Sequence, residues 1–117
     1  MSRERAKGTA AETAVVRYLR EQGAAHVERR ALHGSNDRGD IAGLPGVVIE
    51  VKSHSRITLA EFVDEAVAEG RNADAEVAVA WIKRRGTTDP GAWYVAMTGE
   101  QFVRLAQDAG YIPRGDA

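Results

Sequence analysis

Apolar residues recur at helical spacing near the start of the chain, where Ala11, Ala14, Val15, Tyr18 and Leu19 form a stripe that ends at Gln22-Gly23. A repeat near 3.6 residues closed by glycine predicts an amphipathic helix with a C-terminal cap. The pattern then shortens. Val27 to Leu32 alternates weakly, Asp40 to Ala42 is brief and apolar after its aspartate, and Val47 to Lys52 is β-branched and bounded by Pro45-Gly46. These predict three strands. Leu59, Phe62, Val63, Ala66 and Val67 return to helical spacing, with Thr58 and Glu61 placed as a capping box. Glu76 to Lys83 and Trp93 to Thr98 read as strands joined by the turn-rich RRGTTDPGA. A last helix, Glu100 to Ala109, is expected to bury Phe102, Val103, Leu105 and Ala106 before stopping at Gly110. The order α-β-β-β-α-β-β-α predicts an α/β fold with a central mixed sheet flanked by helices. With 117 residues and no repeat or linker, residues 1–117 are expected to form one domain.

One strand carries an anomaly. In VVIEVK, Val47, Ile49 and Val51 share one face while Val48, Glu50 and Lys52 share the other, because successive side chains alternate. Burying charge without a partner is costly, so a structural salt bridge or a solvent-facing edge would each account for Glu50 and Lys52. A functional account is also open. Hard cations such as Mg²⁺ take oxygen ligands, and carboxylates from adjoining strands, Asp40 and Glu50, would anchor one beside a phosphate. A neighbouring lysine would then orient or deprotonate the attacking water, or stabilise charge developing on the phosphate. Register supplies a test. If Pro45-Gly46 forms a two-residue hairpin turn, Ile41 faces Glu50 and Asp40 lies on the wrong side. A shared site therefore requires a bulge or a longer loop. The alternative for Asp40 is a turn residue, since SNDRGD is loop chemistry throughout.

An E-x-K triplet alone is common, but here it ends an apolar strand ten positions after an aspartate that follows glycine. The constellation resembles the PD-(D/E)xK nuclease superfamily, with Asp40 matching the motif's aspartate, Glu50 its acidic residue and Lys52 its lysine. Gly39 stands where the family name has proline. The element order is similar to the superfamily's restriction-endonuclease-like core over roughly residues 9 to 83. KGTAAE resembles the N-terminal helix motif of archaeal-type Holliday-junction resolvases, which implies that Glu12 joins the metal site, and Ser35 in HGSNDRGD is similar to a loop serine of those enzymes. The helix after Lys52 lacks the glutamine-to-tyrosine motif of helicase-associated members. Thr9 and Glu12 are also spaced as a capping box, which leaves a helix-cap role for Glu12 open.

Composition mainly excludes. Hydrophobic residues make up 44% of the chain, yet no apolar run approaches the roughly 20 residues that span a bilayer. The charged N-terminus lacks a signal-peptide core and there is no cysteine, so a soluble, cytoplasmic protein without a zinc-thiolate framework is expected. The net charge of -1 argues against a uniformly basic nucleic-acid coat. Basic residues nevertheless cluster before Arg38, whereas Glu61, Asp64, Glu65, Glu69, Asp74 and Glu76 face only Arg71 between Thr58 and Val79. Arg29, Arg30, Arg38 and Arg56 flank the candidate site in sequence and would position phosphates rather than read bases. Lys83-Arg84-Arg85 is either a solvated loop or a clamp on a DNA backbone. Trp81 and Trp93 fit core or interface positions. The resemblance implies a Mg²⁺- or Mn²⁺-dependent DNA endonuclease, most similar to a Holliday-junction resolvase and working as a two-fold homodimer on a four-way junction. A non-catalytic nucleic-acid-binding module of the same fold, or a nuclease for another DNA substrate, are the competing expectations.

Overall fold

The computed structural model describes residues 3–30 and 38–115. Helix α1 spans Arg3–Glu21 and so begins well before the apolar stripe. Its first turns lack packed apolar residues, but Arg, Glu, Lys and Ala are strong helix formers and continue the helix outward. Strands β1 (Glu28–Arg29) and β2 (Ile41–Ala42) pair antiparallel, Arg29 opposite Ile41. The strand expected over Val27 to Leu32 is thus brief among the described residues. Strand β3 (Val47–Lys52) runs parallel to β4 (Val77–Ile82), with helix α2 (Leu59–Asn72) between them. After a short 3₁₀ turn at Pro90–Ala92, β5 (Tyr94–Ala96) lies antiparallel to β4, and α3 (Gly99–Asp108) follows. The fold is α/β, but the described strands form two sheets, β1-β2 and a mixed β3-β4-β5, rather than one.

Strand β3 is covered on both faces. Ile49 and Val51 pack with Ala11, Val15 and Val16 of α1 and with Val27, Ile41, Val79 and Trp93. On the other face Phe62 of α2 packs against Ala80 and Ile82 of β4. Burial on both sides is what a parallel pair with a helical crossover demands, and it explains the nearly unbroken apolar runs of β3 and β4. Trp81 and Trp93 donate their indole N–H groups to the carbonyls of Pro90 (3.1 Å) and Thr87 (2.9 Å), which fastens the connection after β4. No described helix is long and apolar enough to cross a membrane.

Two local expectations need correction. Helix α3 buries only Ala106, while Phe102 is 59% exposed and Val103 is exposed too. Its attachment is polar instead: Gln101 Oε1 accepts a hydrogen bond from the Ala78 amide at 3.1 Å, which turns much of the apolar stripe outward. At α2, Thr58 is the N-cap residue, but its hydroxyl donates to Glu61 Oε2 at 2.8 Å rather than accepting from a helix N–H.

The segment before β3 sets the position of Asp40. Val47 N–H donates to Leu44 C=O at 3.1 Å, and Gly46 has φ 82°, so Pro45-Gly46 forms a tight turn of the kind that needs glycine third. Simple continuation would set Asp40 against Val51. Instead the chain bends at Gly43 and Leu44, and the Asp40 amide donates to Ile49 C=O at 3.0 Å. No ladder joins β2 to β3 among the described residues, so strand parity does not set the side that the Asp40 carboxylate takes. The bend supplies extra length between Asp40 and Glu50, and the Asp40 carboxylate meets β3 at the Val51 N–H. Gly39 makes this approach possible: its φ is 92°, and a Cβ there would lie 2.9 Å from Val48 Cγ1. Gly39→Ala is therefore expected to lower stability by about 2 kcal/mol through strain and overpacking. Urea unfolding tests this, and an unchanged midpoint would show that the close contact is dispensable.

Candidate active site

Strand alternation turns Glu50 and Lys52 toward α2, where both are buried. Lys52 Nζ lies 3.4 Å from Glu50 Oε1, donates a hydrogen bond to Glu65 Oε2, and sits 5.5 Å from the centre of the Phe62 ring. Burial of the ammonium acts to lower its pKa, but the hydrogen bond to Glu65 and the charges of Glu50 and Glu65 outweigh it. The pKa is raised from the ordinary value of 10.5. Lys52 is therefore a firm cation at neutral pH. Glu50 Oε2 is buried with no hydrogen-bond partner among the described residues. Glu65 carries no motif and lies in an acidic stretch of sequence; its spacing of three from Phe62, on the packed face of α2, was the only available signal.

Asp40 meets β3 at the backbone of the strand. Its Oδ2 accepts from the Val51 N–H at 2.7 Å, and its own carbonyl accepts from the Arg30 N–H at 2.8 Å. The carboxylate thus lies against the peptide unit that joins Glu50 to Val51. Glu12 stands in the middle of α1, not at its start, so the capping alternative falls away. Its Oε1 accepts from Arg29 Nε at 3.1 Å. An open cavity of about 700 Å³ is lined by Arg5, Glu12, Arg29, Arg30 and Asp40. Arg30 Nε is buried and has no hydrogen-bond partner among the described residues.

These groups supply oxygen donors, which suit a hard cation such as Mg²⁺ or Mn²⁺ rather than zinc. The Glu50 oxygen without a partner and the Asp40 carboxylate against the next peptide are donors of the type such an ion takes. Among the described residues, however, no three acidic, histidine or cysteine side chains gather closely enough to hold a metal.

The remaining candidates separate into groups. Arg29 and Arg30 border the Asp40 cavity, while Arg38 joins Arg30 at a smaller one of about 190 Å³ beside the Pro45-Gly46 turn. The Lys83 amide donates to the Lys52 carbonyl at 2.9 Å, which brings Lys83-Arg84-Arg85 to the same end of the sheet as Lys52. Lys83 lies 5.9 Å from the Trp93 ring centre and Arg84 5.1 Å from that of Tyr94, whereas Arg85 and Arg56 are exposed. Ser35 lies outside the described residues.

Comparison of the chain with protein-family models, curated proteins and solved structures finds no significant match.

Lys52→Met would leave Glu50 buried without its partner, and is expected to cost about 3 kcal/mol at neutral pH. The sign with pH follows from the raised pKa: the stabilisation is complete below about 10.5 and is lost as pH rises through the folded-state value. Urea titrations of both proteins from neutral to strongly alkaline pH should show a larger alkaline loss in the wild type. Equal losses would show that Lys52 contributes none of it.

Proposed function

We propose that the chain is a metal-dependent DNA endonuclease that hydrolyses phosphodiester bonds, with a four-way junction as its substrate and the cytoplasm as its compartment. The observation that carries this reading is the hydrogen bond from the Val51 N–H to Asp40, which sets a second carboxylate beside the E-x-K triplet. The reading requires a restriction-endonuclease-like core, and the crossover of α2 between parallel β3 and β4 is consistent with one.

Asp40 and Glu50 would hold Mg²⁺ or Mn²⁺, with Glu12 as a further carboxylate from α1. Such an ion, when bound, lowers the pKa of water and polarises a phosphoryl oxygen. Lys52 has a separate task. Held protonated between two carboxylates, it is unsuited to removing a proton from water and suited to stabilising negative charge as it develops on the phosphate. Arg29 and Arg30 at the Asp40 cavity, Arg38 beside them, and Arg56 with Lys83, Arg84 and Arg85 near the end of β3 would hold flanking phosphates. A junction cut symmetrically calls for a two-fold dimer. The outer side of β5 and the exposed face of α3, with Tyr94, Val95 and Phe102, offer apolar surface for it.

Two observations favour a different reading. The Glu12 carboxylate is engaged by Arg29 and no three ligands converge among the described residues, as would suit a non-catalytic module that binds phosphate in the arginine-lined cavity.

A labelled four-way junction and a linear duplex, each incubated with and without Mg²⁺, separate these readings. Symmetric nicking of the junction alone, dependent on Mg²⁺ and reduced at least about 100-fold by Asp40→Asn, is the expected result. Equal cutting of both substrates would remove the junction assignment. Junction binding without any cutting would leave the binding module.

A further inference from the structure

Helix α2 brings to Lys52 a carboxylate that belongs to no motif in the chain. An ammonium has three N–H donors. At Lys52 one is taken by Glu65 from α2, and the ammonium also lies within ion-pair range of Glu50 on its own strand. The two carboxylates differ in setting: the Glu50 side chain is 9% exposed, the Glu65 side chain 51%. Glu50 is thus the buried partner and Glu65 the one at the solvent boundary. Glu65 does not owe its place to the ion pair, because Phe62 and Ala66, three residues before it and one after, are buried and fix α2 against the sheet. A lysine side chain has four rotatable bonds, and one buried acidic neighbour leaves its tip free to turn. A second carboxylate, projecting from a different element, removes that freedom.

On the premise of the nuclease reading, we propose that Glu65 is a positioning residue that holds the buried Lys52 ammonium in place next to Glu50, so that its remaining N–H is presented to an incoming phosphate. The chemistry is that of a fixed cation. Without Glu65 the charge persists but its location does not, so the loss should fall on the rate of the bound complex rather than on binding.

The test compares wild type, Glu65→Gln and Glu65→Ala in junction cleavage, in melting, and in the ammonium resonance of Lys52. The chain has only Lys7, Lys52 and Lys83, so nitrogen-labelled lysine gives few signals to assign. Glu65→Ala is expected to lower kcat about tenfold with KM within about twofold, and Glu65→Gln, which keeps an acceptor oxygen, to fall between. Because Glu65 is half exposed, Tm should stay within about 3 °C. The Lys52 ammonium signal, sharp in the wild type, should broaden in Glu65→Ala. Wild-type kcat in Glu65→Ala, or an equal loss in KM, would overturn the proposal. An unchanged Lys52 signal would overturn it too, and does not depend on cleavage. If the wild type cuts no DNA while the signal still broadens, the nuclease reading fails and Glu65 is reduced to a structural partner of Lys52.

Discussion

A lysine and a glutamate taken out of water on one strand are the constraint to which the rest of the structure answers. Isolated buried charges are expensive, and even a paired set adds little compared with apolar side chains of the same size. Glu50 and Lys52 therefore need each other and more. Helix α2 supplies Glu65 and the Phe62 ring, and parallel β4 closes the sheet beside them. Even so, one Glu50 oxygen is left without a partner among the described residues. Apolar side chains at these positions, like Val47, Ile49 and Val51 on the other face, would avoid that cost.

The second element of the site is a contact at the edge of β3. Asp40 is placed by hydrogen bonds and not by a ladder, since the described strands form no β2–β3 pair. Its carboxylate instead reaches the edge of the strand and takes the Val51 N–H. That bond and the Asp40 amide on Ile49 also help join the β1-β2 pair to the mixed sheet, beside the packing of Val27 and Ile41 on Ile49 and Val51. The same few hydrogen bonds thus serve cohesion and placement. Gly39 is needed for both, since a side chain there would push the segment away from Val48.

How much was legible depended on whether local spacing and packing agreed. For β3, β4 and the packed face of α2 they did, because β3 and β4 lie between helices and Phe62 and Ala66 of α2 are buried against the sheet. At α1 the stripe marked only the packed portion; the exposed first turns are held by helix propensity, which leaves no periodic trace. At α3 the stripe was real but misread, because Gln101 fastens the helix by a polar contact and Phe102 stays outside. Thr9 with Glu12 matched a capping box by spacing alone, although the helix had already begun.

The sequence by itself determined that Glu50 and Lys52 share one face of a strand, that an amphipathic helix follows them, and that an aspartate precedes them within one short connection. These are consequences of local geometry, the two-residue repeat of a strand and the 3.6-residue repeat of a helix. Only the tertiary structure decided that the charged face lies under α2, that Glu65 meets Lys52, that Arg29 meets Glu12, and that Asp40 reaches the edge of β3. Each of these depends on how far a turn displaces the pairing or on which distant segment packs alongside. Neither quantity is carried by the spacing of residues along the chain.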